Sequence, residues 1–444
     1  MRGGARQHVA ELARLLLSTA CTTWQGTAPS ETRRARRLRR LVRYAAQYSP
    51  YYRDLFNRLH LAPSTIRTLD DLRLLPVLSS ATVREVWAQI VSREIDPERC
   101  AQRRTTGTTG RCLTFPVTPL ESALETLLLL RGYTHAGLRP WHRQAKVVAP
   151  RVPRPRRFLQ RLGLFRRAYL GVELPPEHKV AWLQAYRPDA LMCWASVLNE
   201  ITLCLEKLNQ CLRVPLVFAS SDMLWPDIRA RAQDRLQARV VDWYGATETG
   251  PIAWGCAAGA LHLAGDHVVV ELLDDQGRPT RRGRVVCTPL WRFGFPLLRL
   301  DLGDGAEWLD GSCPCGNPSP ALCNLQGREV DLCVLPGESH ARLPLPVIAL
   351  AFEFPGVRQY QLVQEAPSRA LLRLVTGPEF TTAVEERLRD HITRSLAPGM
   401  EVRVLKCPAL VLPAGIKFTP VVTMERLQRL RADGVDVRAF FHTG

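Results

Sequence analysis

Apolar residues first recur at helical spacing. Leu38, Leu41, Val42 and Ala45 fall at three- and four-residue intervals inside a polar stretch. Ser49-Pro50 and Pro63 interrupt that rhythm, so residues 33–97 are expected to be a set of short helices. From Gln144 the pattern changes to short apolar runs bounded by turn residues. Ala145–Ala149, Arg167–Val172, Ala190–Trp194, Val214–Ala219 and Arg239–Trp243 read as strands, and Leu198, Ile201, Leu205 and Leu208 mark a helix after the third. Strands alternating with helices predict a parallel α/β sheet. From His262 to Asp310 the chain is strand-rich, with turn signals at Asp275-Gln276-Gly277 and Arg282-Gly283. That segment is expected to be a β subdomain packed beside the sheet. After Gly327 comes a smaller α+β pattern, with strands at Leu371–Val375 and Val402–Leu405 and a helix over Thr382–Leu396. The expected fold is therefore α/β, with a large domain over residues 1–328 and a small α+β domain over 329–444. No internal repeat or low-complexity tract interrupts it.

Length agrees with this division, since 444 residues at 46% hydrophobic exceed what one core organises. The longest leucine run, Leu127–Leu130, ends at Arg131 and reads as a core helix. No stretch is apolar enough to span a bilayer, and no secretory leader pattern follows Met1. Thirteen cysteines are too scattered for a disulfide scaffold, so a reducing cytoplasm is expected. The net charge of +18 raises nucleic acid as a partner. Of 60 basic residues, however, only five are lysine, and the arginines are dispersed along the whole chain as in a compositional bias. The densest run, Arg33–Arg40, alternates with the apolar stripe and reads as the wet face of a helix. Neither nucleic acid nor membrane is an expected partner, and a homodimer is left open.

Candidate chemistry begins at Thr105-Thr106-Gly107-Thr108-Thr109-Gly110, followed by Arg111. Hydroxyls and glycines at this density make a loop of exposed donors that a polyphosphate can approach closely. The loop lacks the lysine of GxxxxGK[ST], so it is not an ordinary P-loop. Glu248 suits Mg²⁺, which prefers one or two carboxylates together with phosphate oxygens. Lys417 stands out in a chain that uses arginine at nearly every basic position. A compact ammonium sits between a carboxylate and a phosphate where a guanidinium fork fits poorly, and Gly415 would let a loop deliver it. Cys256, His262, Cys313 and Cys315 form a second constellation. Three thiolates and an imidazole would close a tetrahedral structural Zn²⁺ site, with buried free thiols as the alternative and His267 and Cys323 as substitute ligands.

Four segments in order, TTGTTG at Thr105–Gly110, Tyr244-Gly245-Ala246-Thr247-Glu248, Arg299–Asp304 and Gly327-Arg328-Glu329-Val330-Asp331, precede Gly415-Ile416-Lys417. They resemble the core motifs of the adenylate-forming superfamily of acyl- and aryl-CoA ligases, peptide-synthetase adenylation domains and luciferases. Leu41-Val42-Arg43-Tyr44-Ala45, Ser49-Pro50-Tyr51-Tyr52-Arg53, Leu69-Asp70-Asp71-Leu72, Leu75-Pro76-Val77 and Cys313-Pro314-Cys315-Gly316 are similar to its phenylacetate–CoA ligase and capsule-biosynthesis branch. The likeness runs from Leu41 to Val422 and thins between Gly337 and Leu410.

That resemblance implies roles. The threonines of Thr105–Gly110 would bind the β- and γ-phosphates, and Thr247 the α-phosphate. Tyr244, with Gly245, would lie near the adenine, unless Tyr244 is core. Asp304 would accept the ribose hydroxyls, and Arg328 would reach ribose or phosphate, with a surface ion pair as the competing role. Asp331 would be the hinge about which the C-terminal domain rotates. Ser221 and Asp222 would form an adenine-binding turn, although an N-cap accounts for Asp222 equally well. Leu300 and Asp301 depart from the family's tyrosine and basic residue, and Ile416 splits its Gly-Lys pair. Trp194, Ser196, Trp243 and Tyr244 are candidate walls of an acid pocket. The implied activity is ATP- and Mg²⁺-dependent adenylation of a carboxylic acid, aromatic by the branch. The acyl group would then pass to coenzyme A, or alternatively to an amine, a carrier-protein thiol or another nucleophile.

Overall fold

The computed structural model describes residues 10, 13–15, 30–104, 114–148, 160–171, 174, 176–220, 224, 226–328, 332–334, 342–344, 354, 356–396, 401–408, 410–413 and 421–441. Helices α1 (Glu31–Tyr48), α2 (Pro50–Arg58), α3 (Ser80–Glu85) and α4 (Trp87–Ile90) come first. Pro50 starts α2 at the first helical position, where its missing N–H costs nothing. Strands β1 (Ala101–Arg104) and β2 (Thr114–Val117) form an antiparallel pair, and α5 (Pro119–His135) follows.

Five strands then run parallel: β3 (Gln144–Val148), β4 (Arg167–Gly171), β5 (Ala190–Trp194), β6 (Leu216–Ser220) and β7 (Arg239–Ala246). Helices α6 (Pro176–Tyr186), α7 (Ala195–Lys207) and α8 (Pro226–Arg235) cover one face, with Val180, Leu183, Leu198, Ile201 and Ile228 in a shared core. Tyr133 of α5 and its neighbours cover the other, against Met192, Phe218 and Val241. Burial on both faces explains why these strands read as unbroken apolar runs.

The β-rich segment does not pack beside this sheet but continues it. After β7 come β8 (Gly250–Gly255), β9 (Leu261–Leu263), β10 (Val268–Leu273), β11 (Arg282–Pro289), β12 (Leu300–Trp308) and β13 (Ala321–Arg328). The eleven-stranded order is β10-β11-β12-β13-β9-β8-β7-β6-β5-β3-β4, antiparallel from β10 to β7 and parallel from β7 to β4. Strand β7 is thus the seam, with β6 parallel on one side and β8 antiparallel on the other. Helix α5 lies so close to the seam that a Cβ on Gly132 would fall 1.9 Å from the Trp254 ring.

The first helices pack on the antiparallel half through long-range polar ties. Arg299, in a left-handed conformation (φ 56°), donates to both carboxylate oxygens of Glu271 at 2.9 and 3.0 Å and to the carbonyl of Leu75. Leu78 exchanges backbone hydrogen bonds with Arg299 and Asp301. The arginine run of α1 is not wholly solvated. Arg37 is buried against Asp266, which also takes Arg131 at 2.7 Å. A buried carboxylate needs such partners, so one arginine of the wet face turns inward.

Short strands β14 (Leu332–Val334) and β15 (Arg342–Pro344) pair with each other. A separate sheet, ordered β18-β17-β16-β19, contains β16 (Val357–Ala366), β17 (Arg369–Thr376), β18 (Glu401–Lys406) and β19 (Val421–Val422), with α9 (Thr382–Leu396) and α10 (Met424–Ala432). It has cores of its own around Leu372 and Leu430.

Two outcomes follow from the buried carboxylates. Glu121 closes a capping box with Thr118 and also accepts from the N–H groups of Phe293 and Gly294 at 2.8 and 2.9 Å. Glu121→Ala strands these donors and should lower unfolding free energy by roughly 3 kcal/mol. A denaturation midpoint equal to wild type would contradict that role. On β7, burial pushes the Asp242 carboxyl up to about 6, against the pull of Arg229. A folded pKa above the unfolded one means this group's stability is full below pH about 4 and is lost as pH rises through 6. Asp242→Asn should therefore raise the melting temperature at pH 8, by the equivalent of roughly 3 kcal/mol, and leave it unchanged at pH 4. Equal gains at both pH values would refute this.

Candidate functional site

Strands β3 to β7 end along one edge of the sheet. In open α/β sheets, ligands sit outside the carboxyl ends of the strands where strand order reverses. Here the order reverses between β3 and β5, and the seam at β7, two strands beyond β5, opens on the same edge. Between β7 and β8 the chain turns in three residues, Thr247-Glu248-Thr249. Gly250 closes the loop in the left-handed conformation (φ 74°), and a Cβ there would come within 2.8 Å of Trp291. Glycine satisfies both the backbone and the space.

The loop rests on Arg292. This guanidinium, 1% exposed, donates to the carbonyls of Thr247 and Glu248, both at 3.2 Å. It also lies over the rings of Phe115, on β2, and Trp291, at 5.4 and 4.1 Å. Glu125 stands 3.8 Å away as its counter-charge. With its backbone pinned, the half-buried Glu248 side chain has no hydrogen-bond partner among the described residues and is available to a cation.

Tyr244 and Asp304, 60 residues apart, meet here. The phenol donates to Asp304 Oδ2 at 2.6 Å. In the sheet their strands, β12 and β7, are separated by β13, β9 and β8, so this hydrogen bond spans three intervening strands. Asp301 is turned to another purpose, accepting from Arg284 and from the N–H of Gly303. Its departure from the family pattern is thus a local turn and ion pair.

Of the proposed pocket walls, Trp243 stacks on Trp254 at 5.6 Å, and Trp254 meets Tyr133 edge-on at 5.2 Å. Trp194 packs instead with the core under α6–α8. Thr105, Thr106, Gly107, Thr108, Thr109, Gly110, Ser221, Asp222, Asp331 and Lys417 lie outside the described residues, as do the side chains of Ser196 and Arg328.

The second constellation gathers at the far end of β8 and β9. Strand β13 pairs with β9, Ala321 opposite His262, which carries the loop of Cys313 and Cys315 to Cys256. The ligand atoms of Cys256, His262, Cys313 and Cys315 all lie within 4.8 Å of one another. Cys256 Sγ is 3.6 Å from Cys313 Sγ, and Cys315 Sγ is 3.2 Å from His262 Nε2. Tetrahedral zinc with Zn–S near 2.3 Å separates its sulfurs by about 3.7 Å, so the spacing fits that ion. His262 Nδ1 faces the carbonyl of Ser319 at 2.9 Å. A carbonyl only accepts, so the proton sits on Nδ1 and Nε2 presents its lone pair, the outer-shell arrangement of metal-binding histidines. The substitutes are elsewhere. His267 bonds Asp266 and the Pro251 carbonyl, and Cys323 stands opposite Glu307 on β12.

Sequence reading missed Arg292 and Glu121. A single charge within Leu290-Trp291-Arg292-Phe293-Gly294-Phe295 was the available signal, since a charge in an apolar run must be paired when buried.

No protein-family model matches the chain. It is similar to the phenylacetate-coenzyme A ligase of Thermus thermophilus, at 26% identity over 395 residues, covering 83% of this chain and 87% of the relative. Its fold is similar to 2-hydroxyisobutyryl-CoA ligase in the postadenylation state, with a TM-score of 0.68, 20% identity and coverage of 90% and 91% of the two chains. The thioesterification state of that ligase, bound to 2-HIB-AMP and CoA, aligns with a TM-score of 0.60 at 20% identity over 91% of each chain. With its motifs in the family order, on this sheet and with this relative, the chain resembles the adenylate-forming superfamily, and within it the phenylacetate–CoA ligase-like kind.

Proposed function

We propose that the protein is an AMP-forming acid–thiol ligase that adenylates a carboxylic acid with ATP and passes the acyl group to coenzyme A. The observation that carries this reading is the Tyr244–Asp304 hydrogen bond beside the Thr247-Glu248 loop. It brings a carboxylate and an aromatic ring together beside the acid of that loop. Transfer of a nucleotidyl group is mainly positioning and charge stabilisation. In this reading Asp304 accepts the ribose hydroxyls, Thr247 contacts the α-phosphate, and Glu248 holds Mg²⁺, which offsets phosphate charge. Thr105–Gly110 and Arg328 bind phosphate and ribose, Ser221 and Asp222 flank the adenine, and Lys417 bridges carboxylate and α-phosphate. The acid is aromatic, a choice supported by the stacked Trp243 and Trp254. Residues 1–328 form the adenylation domain. Residues 329–444 rotate about Asp331 to admit the thiol, a division supported by the separate cores of the C-terminal sheet. Zn²⁺ on Cys256, His262, Cys313 and Cys315 supplies folding energy and takes no part in the reaction.

Acid-dependent pyrophosphate exchange, screened over aromatic and aliphatic acids, tests the first half-reaction, and adding CoA tests the second. Lys417→Ala should cut exchange on the order of 100-fold while ATP binding persists, and Glu248→Gln should raise the Mg²⁺ requirement. Wild-type exchange in Lys417→Ala would remove that lysine from the mechanism.

Purified protein should contain close to one equivalent of zinc per chain. Cys313→Ser should lower both metal content and melting temperature. Full stability in metal-free protein would leave four ordinary thiols.

A further inference from the structure

The edge of the sheet opposite the Thr247-Glu248 loop gathers charge that no ion pair uses. Between Glu125 and Glu173 the chain has eleven Lys and Arg residues and no acid. Parallel topology brings the segments that precede β3, β4, β5, β6 and β7 to one edge, and backbone hydrogen bonds lace them together. Gln144 N–H donates to Arg166 O, Ala190 N–H to Arg143 O, Val214 N–H to Leu236 O and Arg239 N–H to Pro215 O, at 2.8 to 3.1 Å. Along this edge Arg139, Arg161, Arg166, Arg187, Arg213 and Arg239 are all exposed. None is paired with a carboxylate among the described residues. The acids nearby are already engaged, Asp189 with Arg143 and Asp234 with Arg235.

Apolar tips stand among these arginines. Trp141 is 59% exposed, Leu162 61% and Leu208 46%, and the first two exceed every other large apolar side chain described. Trp141 and Leu162 sit on adjacent loops, joined where Arg166 donates to the Trp141 carbonyl at 3.0 Å. Dispersed along the sequence, these residues look like composition. The sheet collects them into one face about 20 Å across, five strands wide at about 4.8 Å spacing.

We propose that this edge docks the protein on an anionic lipid bilayer. Two features favour a bilayer over a nucleic acid. Phosphates alone offer nothing to an exposed leucine, whereas a membrane interface takes both tryptophan and leucine tips. The charges also lie on a broad edge, suited to a planar partner. Unpaired arginines near an anionic leaflet contribute about 1 kcal/mol each, so six make reversible docking without any spanning helix. Docked this way, the carboxyl ends of β3–β7 face away from the lipid and stay open to soluble reactants. The proposal does not depend on which reaction those ends support.

The test is cosedimentation of the full chain with phosphatidylcholine vesicles, with and without phosphatidylglycerol, across a salt series. Retention is expected only on the phosphatidylglycerol vesicles and should fall as salt rises. Arg161→Gln with Arg213→Gln should weaken partitioning about tenfold or more. Trp141→Ser with Leu162→Ser should weaken it severalfold while leaving the salt dependence intact. All variants should keep the wild-type melting temperature, since these side chains are exposed. Wild-type protein left in the supernatant, or equal retention of the variants, overturns the proposal. So does a duplex oligonucleotide that binds at the same salt while vesicles do not.

Discussion

A buried guanidinium governs the site. Arg292 is removed from water, and such a charge is tolerated only when its donors are met and a counter-charge stands near. The carbonyls of Thr247 and Glu248, the Phe115 and Trp291 rings and Glu125 meet most of that demand, and Nη1 alone of its nitrogens has no hydrogen-bond partner among the described residues. The same contacts tie β2 to the hairpin at the seam. Two stretches separated by about 130 residues are therefore held in one frame by the desolvation of a single side chain. Glu121 fixes the other side of that frame by taking the N–H groups of Phe293 and Gly294. The apolar segment Leu290–Phe295 is thus pinned by an anion from α5 while it offers a cation to the loop.

Strand β7 matters for a related reason. It is the last parallel strand and the first antiparallel one, so the turn that follows it stands at the strand edge, where Thr247 and Glu248 are only half-buried among the described residues. A crossover helix there would have buried Glu248. The three-residue hairpin leaves its carboxylate at hand, and Gly250 makes that hairpin possible.

Much of this architecture was legible in the sequence because local physics determines it. The run Ala190–Trp194 is a strand with those bounds, and Thr382–Leu396 is a helix with those bounds, since each pattern is decided by burial of one continuous segment. What could not be read was long-range. Periodicity located the β-rich segment but not its continuation of the parallel sheet, which depends on β13 inserting between β9 and β12. Likewise the arginine run of α1 looked uniformly wet, because Asp266, 229 residues away from Arg37, is invisible to any local window. In the site, Tyr244, Thr247, Glu248 and Asp304 announced themselves as motifs. Arg292 and Glu121 did not, because Thr118-Pro119-Leu120-Glu121 announces only a local capping box and the lone charge at Arg292 names no partner, while the long-range groups both act on are backbone.

The first helices have a further consequence for how the chain comes into being. Leu38, Leu41, Tyr52, Leu78 and Ile90 share their core with Val268, Phe293 and Leu300. During synthesis those helices leave the ribosome with an apolar face and no surface to cover it. About 200 more residues must emerge first, which at 5–20 residues per second takes roughly 10–40 s. The N-terminal segment therefore keeps that apolar face incompletely covered for this interval on every round of translation. A pause before Leu300 would lengthen that exposure, whereas one after it would not.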